Sequence, residues 1–324
     1  MQKPTKANLG PSTSAASDIG VLNKKSRLKQ MKNSWQLYVF ASLAFLTIFI
    51  FAYIPMYGVV IAFQNFRPAR GIMGSPWVGF QHFQNFFNSI HFWPLLRNTL
   101  HINIYALIVG FPLPIILALA FNEIKDGFFK KFTQTVTYAP HFISVVVLSG
   151  MIVSFLSTES GIINHIVAFF GFERQTWLQL PNWFSTIFVW SGVWQSTGWG
   201  TVIFMAALSG VDPTLHEAAI VDGASRIQRI WFINLPTIMP TIIILLIMNV
   251  GSLMAMGFER VLLIQNPLNQ PMSDVIATYV YRVGLLEGQF SFAAAIGLFN
   301  SAINAILLVS VNTITRKLGE VGLW

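Results

Sequence analysis

Glu217-Ala218-Ala219 and Asp222-Gly223-Ala224, followed by Ile233, Leu235 and Pro236, lie in a short polar stretch between two long apolar runs. The two alanines let a second surface approach closely. Glu217 and Asp222 supply fixed charges that set the register of such a contact, and Arg226 adds a charge of the opposite sign. The spacing predicts a helix capped by Asp212, with Pro213 at its first position. Gly223 is placed to adopt the left-handed conformation that ends a helix. A second helix follows over about Ala224 to Asn234, with Ile227, Ile230 and Trp231 at helical spacing. Pro236 is expected to stop that helix and open the next apolar run. Crossing a bilayer requires none of this, so the stretch reads as a docking element. An amphipathic hairpin lying on the membrane would favour basic residues over Glu217 and Asp222.

A second set of residues sits inside the apolar runs. Trp190, Ser191, Trp194, Gln195, Ser196, Thr197 and Trp199 crowd one of them. Gln195 and Trp199 are four apart and share a helix face. Sugars are held by aromatic rings under their C–H faces and by amides or hydroxyls at their edges, and this face offers both. Asn249, Ser252 and Met256 form a second face at spacings of three and seven, and His141 and Ser144 add polar groups in a third run. Polar groups at membrane depth are costly and usually face a bundle interior or a cavity. The competing role is helix–helix packing without any ligand.

Other chemistries lack their residues. No G-x-x-x-x-G-K-[ST] loop occurs, so the chain itself is not expected to bind or hydrolyse ATP. No His/Cys/Asp/Glu cluster has metal-ligand spacing, and no cofactor is implied. His165 and His216 are isolated and read as structural. The chain has no cysteine, which excludes disulfides and thiolate sites.

The elements that must carry these residues are membrane spans. Apolar residues make up 54% of the 324 residues and charged ones only 10%, against about 25% charged in soluble domains. Six stretches are long enough to cross a bilayer: about Gln36–Val60, Thr99–Phe121, Phe132–Phe155, Trp183–Leu208, Pro236–Met256 and Phe292–Val311. The fourth is the most polar. The first is too long and too far from the start for a signal peptide. Residues 1–34 form a basic, Ser- and Asn-rich tail expected to be disordered. Fourteen Lys and Arg fall in the tail, the 125–131 loop, the 209–236 insert and the C-terminus, against six on the other side. The positive-inside rule therefore puts both termini and the insert in the cytoplasm. The same topology accounts for the net charge of +8 without nucleic acid.

The insert resembles the coupling motif of ABC importer permeases, E-A-A-x-x-D-G-A followed by I-x-L-P. The match falls at Glu217, Ala218, Ala219, Asp222, Gly223, Ala224, Ile233, Leu235 and Pro236. Arg97-Asn98-Thr99-Leu100, Tyr138 to Ser144, and Gly161, Asn164, Gly171, Trp177 and Leu178 resemble the sugar-importing branch, over residues 35–324. Within it the chain is similar to the larger permease subunit of bacterial alginate importers. The resemblance implies an all-α, MetI-like permease of six transmembrane helices in the bacterial cytoplasmic membrane, with residues 209–236 as its cytoplasmic helix-turn-helix. It implies a second, related permease subunit, two ATP-binding subunits that receive the insert, an extracytoplasmic solute-binding protein and a carbohydrate cargo such as alginate or another acidic polymer. Glu217, Ala218, Ala219, Asp222, Gly223, Ala224, Arg226, Leu235 and Pro236 would couple to the ATPase. Trp194, Gln195, Trp199, Asn249, Ser252, Met256, His141 and Ser144 would line the path, and transport would proceed by alternating access.

Glu259, Arg260, Asn266, Gln270 and Arg282 are expected in an outer loop that meets the binding protein. A secondary transporter driven by an ion gradient is the main competitor, with an intramembrane enzyme and an ABC permease for another solute behind it. The six spans hold no Asp or Glu, which argues against proton coupling.

Overall fold

The computed structural model describes residues 34–255, 257–317, 319, 322 and 323. The expected basic tail lies outside the described residues except for Ser34. The chain divides at Val59/Val60 into two units. The described part of the first is helix α1 (Trp35–Ile48), continued by a π-helical turn, Phe49–Tyr53, and a short turn, Ile54–Met56.

The second unit contains α2 (Phe92–Gly110), α3 (Pro112–Glu123), α4 (Phe128–Tyr138), α5 (Val145–Phe155) and α6 (Pro181–Leu208). It continues with α7 (Pro213–Val221), α8 (Arg226–Arg229), α9 (Leu235–Gly251), α10 (Phe258–Ile264), α11 (Ile276–Tyr281) and α12 (Phe290–Lys317). Among the described residues the extended pairing amounts to one isolated bridge, Gln64 with Trp77. The fold is all-helical, as the sequence predicts.

Among the described residues, four helical stretches are long and apolar enough to cross a membrane: Trp35–Phe63, Phe92–Glu123, Arg226–Gly251 and Phe290–Lys317. The stretch expected as one span over Phe132–Phe155 is two helices bent by 98°. Pro140 lies in a 3-10 turn, Ala139–Phe142, and Ile143 and Ser144 are extended. Ser144 then starts α5 by accepting from the Val147 N–H at 3.3 Å. The fourth expected span is one unbroken 28-residue helix, α6, whose Ser, Thr, Gln and Trp side chains dilute its apolarity.

The boundary expected at Pro236 is absent. One helical path runs from Arg226 to Gly251, with a π-helical turn over Ile230–Asn234. A proline inside an α-helix lacks an N–H donor, and its ring crowds the carbonyl four residues back. The wider π turn just before Pro236 relaxes that clash, so the helix continues.

Three apolar clusters hold the second unit together. The largest joins Ile102, Leu148, Ile152, Phe184, Phe188, Val189 and Val261 across α2, α5, α6 and α10. Another gathers Phe86, Leu95, Met254, Ile276 and Ile296 around α2, α11 and α12. The third packs Ala118, Phe204, Leu208 and Ile238 where α3, α6 and α9 meet. α6 and α4 approach closely at Gly198, where a Cβ would stand 1.9 Å from the Thr137 carbonyl oxygen. Small residues allow such contacts between apolar helices.

Polar side chains close the loops. Asn98 donates to the Pro271 and Asp274 carbonyls at 3.0 and 3.1 Å, and the Thr99 hydroxyl accepts from the Ile276 N–H at 3.0 Å. Buried Asn164 donates to the Ser157 and Gln175 carbonyls and accepts from the Gln175 N–H and the Trp177 indole. The sequence motifs around 97–100 and 161–178 thus fasten loops whose buried backbone groups need partners.

Candidate functional site

Two sites emerge from this frame, an exposed helical insert and a cavity among the apolar helices.

In the insert, the Asp212 carboxylate accepts from the Thr214 N–H at 2.9 Å and caps α7. That N–H holds the carboxyl below the usual carboxylate range. Gly223 ends α7 with a φ of +79°, and the Ala224 N–H returns to the Ala219 carbonyl at 2.8 Å. Nothing lies within 4 Å of the place a Gly223 Cβ would take, so the glycine serves the backbone alone. The second helix begins at Arg226, two residues later than expected, with Ser225 as its N-cap. Ser225 and Gln228 form a reciprocal capping box, at 3.3 Å from the Gln228 N–H and 2.7 Å from the Ser225 N–H. The S-x-x-Q spacing carries that signal in the sequence.

Neither α7 nor α8 buries a residue. Leu215, Ile220, Val221 and Ile227 are exposed, an apolar surface flanked by the charges of Glu217 and Asp222. Ala218, Ala219 and Ala224 lie on this hairpin, and Leu235 and Pro236 continue it into α9. Arg226 faces a recess that it shares with Asn122, Glu123, Lys125, His216 and Arg229.

The cavity, of about 440 Å³, lies among α2, α3, α6 and α9, with one residue from α10. Gln195, Ser196, Asn249 and Arg260 are its polar lining, set among Leu107, Phe111, Val193 and Phe204. Gln195 and Asn249, one from each of the two faces singled out in the sequence, both line this cavity. Gln195 also donates to the Ile143 carbonyl at 2.7 Å, which the bend between α4 and α5 leaves without a helical partner. Trp199, one turn along, stacks on His141 with ring centroids 4.9 Å apart and planes 6° from parallel. Gln195, Trp199, His141 and Ser144 thus gather at that bend. Ser144 is occupied in capping α5. Trp194 is half exposed and Ser252 bonds back to the Met248 and Asn249 carbonyls; neither lines the cavity. Met256 lies outside the described residues.

Arg260 departs from its expected place in an outer docking loop. It points into the cavity, with its guanidinium carbon 4.0 Å above the Phe188 ring. A Cβ at Gly192 would come within 2.6 Å of its Nη1, so the bare glycine makes the room. Its Nε is buried without a partner, and among the described residues no carboxylate pairs with it. A cation–π contact contributes about 1–2 kcal/mol, less than the several kcal/mol an ion loses on leaving water. Arg260 shares a helix face with buried Ile264, four residues on; that spacing was the available sequence signal. Asn266, also expected on the docking surface, instead donates to the Leu178 carbonyl at 2.8 Å, as Asn269 does. Arg282 pairs with Asp274. Asn266 and Arg282 share one reason: a polar group packed against its neighbours finds a partner there, whereas Arg260 is left without one.

Known proteins share this architecture. Residues 110–320 match the family described as "Binding-protein-dependent transport system inner membrane component". The chain is 42% identical over 275 residues to the polygalacturonan/rhamnogalacturonan transport system permease protein YteP of Bacillus subtilis (strain 168), covering 85% of this chain and 86% of that one. It is 40% identical over 299 residues to protein LplB of the same organism, covering 92% and 94%. A crystal structure of a bacterial ABC transporter involved in the import of the acidic polysaccharide alginate superposes with a TM-score of 0.84 at 36% identity, over 91% of this chain and all of that one. The alginate transporter in complex with an alginate pentasaccharide-bound periplasmic protein gives the same score and identity. An all-helical fold, long apolar helices and this agreement over most of the length have one reading: the chain belongs to the family of binding-protein-dependent transport system inner membrane components.

Proposed function

We propose that the chain is a permease subunit of an ATP-driven importer for oligosaccharides or polysaccharides with acidic sugar units, working by alternating access. The observation that carries this reading is the insert. Its two short helices, joined at a left-handed glycine, leave Leu215, Ile220, Val221 and Ile227 exposed beside Glu217 and Asp222, a surface suited to a groove in an ATPase subunit. The helical path from Arg226 to Gly251 joins that surface to the wall of the cavity at Asn249. Movement of the insert would thus reach the path without a flexible joint.

In this reading residues 35–324 form a six-span permease domain with residues 209–236 inside the cytoplasm and both termini on that side. α1, the α2–α3 pair, the bent α4–α5 pair, α6, α9 and α12 would be the spans. Glu217, Ala218, Ala219, Asp222, Gly223, Ala224, Arg226, Leu235 and Pro236 would meet the ATPase. Gln195, Asn249, Trp199 and His141 would meet the sugar, and Trp194, Ser144, Ser252 and Met256 complete the proposed path. A second, related permease would supply the other half of the pathway, two ATP-binding subunits the energy, and a solute-binding protein the cargo. Polygalacturonan, rhamnogalacturonan and the acidic polysaccharide alginate are the cargoes named for the similar proteins, and they support a carboxylated polymer.

The test is reconstitution with the partner subunits in proteoliposomes. Glu217→Lys should leave the chain folded and inserted while lowering ATP-driven uptake at least ~10-fold, the effect of ~1.4 kcal/mol at the docking step. Normal uptake by that variant overturns the docking role. Uptake driven by an ion gradient without ATP overturns the importer itself.

A further inference from the structure

We propose that Arg260 is the charge-selecting residue of the translocation path, its guanidinium pairing with the carboxylate of an acidic sugar unit as the cargo passes the cavity. The inference rests on the importer reading above and specifies which group at that site tells an acidic cargo from a neutral one.

Four observations support it. Arg260 is the one charged side chain lining the cavity among the described residues. No carboxylate among them pairs with it, although the close ion pairs Lys130–Asp126 and Arg282–Asp274 show that this chain pairs charges where it needs to. Its position is built rather than incidental, since the guanidinium lies over the Phe188 ring and the bare backbone of Gly192, one turn along α6, leaves it space. Finally, the neighbouring polar groups are partly engaged within the protein. Gln195 spends one amide N–H on the Ile143 carbonyl, Asn249 one on the Leu245 carbonyl, and Ser196 its hydroxyl hydrogen on the Gly192 carbonyl. What remains on Gln195 and Asn249 is one neutral donor each, so the charged donors open to a ligand are those of Arg260.

A fixed cation in an apolar cavity attracts an anion and gains little from a neutral solute. A guanidinium also matches the planar, two-oxygen shape of a carboxylate. The aromatic and amide groups nearby, Trp199 and Gln195, suit any sugar. Arg260 would add selectivity for charge to a path otherwise permissive for carbohydrate.

The experiment compares uptake of a uronate oligosaccharide with uptake of its carboxyl-reduced, neutral counterpart. It uses the complete complex with its binding protein in proteoliposomes, with ATPase activity read in parallel. Wild type should favour the acidic form. Arg260→Gln should lower the acidic-to-neutral uptake ratio about 10-fold or more, and Arg260→Lys should keep much of it. A purely structural role would lower both cargoes together and leave the ratio unchanged. If Arg260→Gln does not assemble, Gly192→Ala is read instead. Its new Cβ displaces the guanidinium and should lower the same ratio while the charge remains in the chain. An unchanged ratio in the assembled variants overturns the role of Arg260 but leaves the importer standing. Failure of the wild-type complex to take up either oligosaccharide overturns the carbohydrate reading, and this inference with it.

Discussion

Gly198 and Gly192 matter for the side chain they lack, and each makes room for something different. At Gly198 the neighbour is backbone, the Thr137 carbonyl, so a methyl group could be accommodated only if α4 and α6 moved apart. Gly198→Ala is expected to destabilise the folded protein by about 1–3 kcal/mol, the usual cost of overpacking, or to prevent its accumulation. Gly150 also lies in a helix, but a Cβ there meets nothing within 4 Å, and Gly150→Ala should leave the thermal midpoint in detergent within about one or two degrees of wild type. Equal midpoints for the two variants would contradict the close approach. At Gly192 the neighbour is the far end of the Arg260 side chain, which can move, so substitution there should perturb selectivity more than stability. Single residues also show where sequence reading stops. Asn98 and Asn164 stand in motifs visible in the sequence, but the motifs do not say what the side chains hold. Asn98 and Asn266 take partners as far as 176 residues away, and no local pattern points to those partners.

Helices carry the next level of argument. The capping of α7 by Asp212 and its end at Gly223 depend on neighbours within a few residues, so both were legible in advance. The end expected at Pro236 was not met, because the chain absorbs the proline in a π-helical turn over Ile230–Asn234. One extra residue in a turn rotates the helix on its N-terminal side by about 100° relative to the helix on its C-terminal side. The π turn therefore sets how the exposed face of α8 is aimed relative to α9. Pro236→Ala restores the missing N–H and removes the reason for the wider turn. The expected result is a protein of equal or greater thermal stability that spends more ATP for each solute imported. Wild-type coupling in that variant would show that the aim of the insert does not depend on the π turn. The bend between α4 and α5 obeys the same logic in reverse. There the helix does break, and Gln195 of α6 satisfies the carbonyl that the break exposes.

For the molecule as a whole, the proposed topology rests on charge asymmetry and can be checked directly, since the sequence contains no cysteine and any introduced thiol is unique. Val221 on the insert and Glu173 before α6 are both exposed. In right-side-out spheroplasts, a membrane-impermeant thiol reagent should label Glu173→Cys at once and Val221→Cys only after permeabilisation. Reversed labelling would invert the proposed orientation. Composition and apolar run length were enough, without coordinates, to read a membrane protein, and the motif in the insert, by its resemblance to a known family, pointed to a permease and to the docking surface proposed for it. Those properties are local or additive along the chain, and local order needs no knowledge of distant neighbours. The tertiary structure alone decided that Arg260 leaves its loop for the cavity and that Gln195 and Asn249 share one wall of it. It also decided that two helices stand where one span was expected. Each of these depends on which distant segments pack together, because a buried charge or an unpaired carbonyl takes its meaning from the groups that surround it in space.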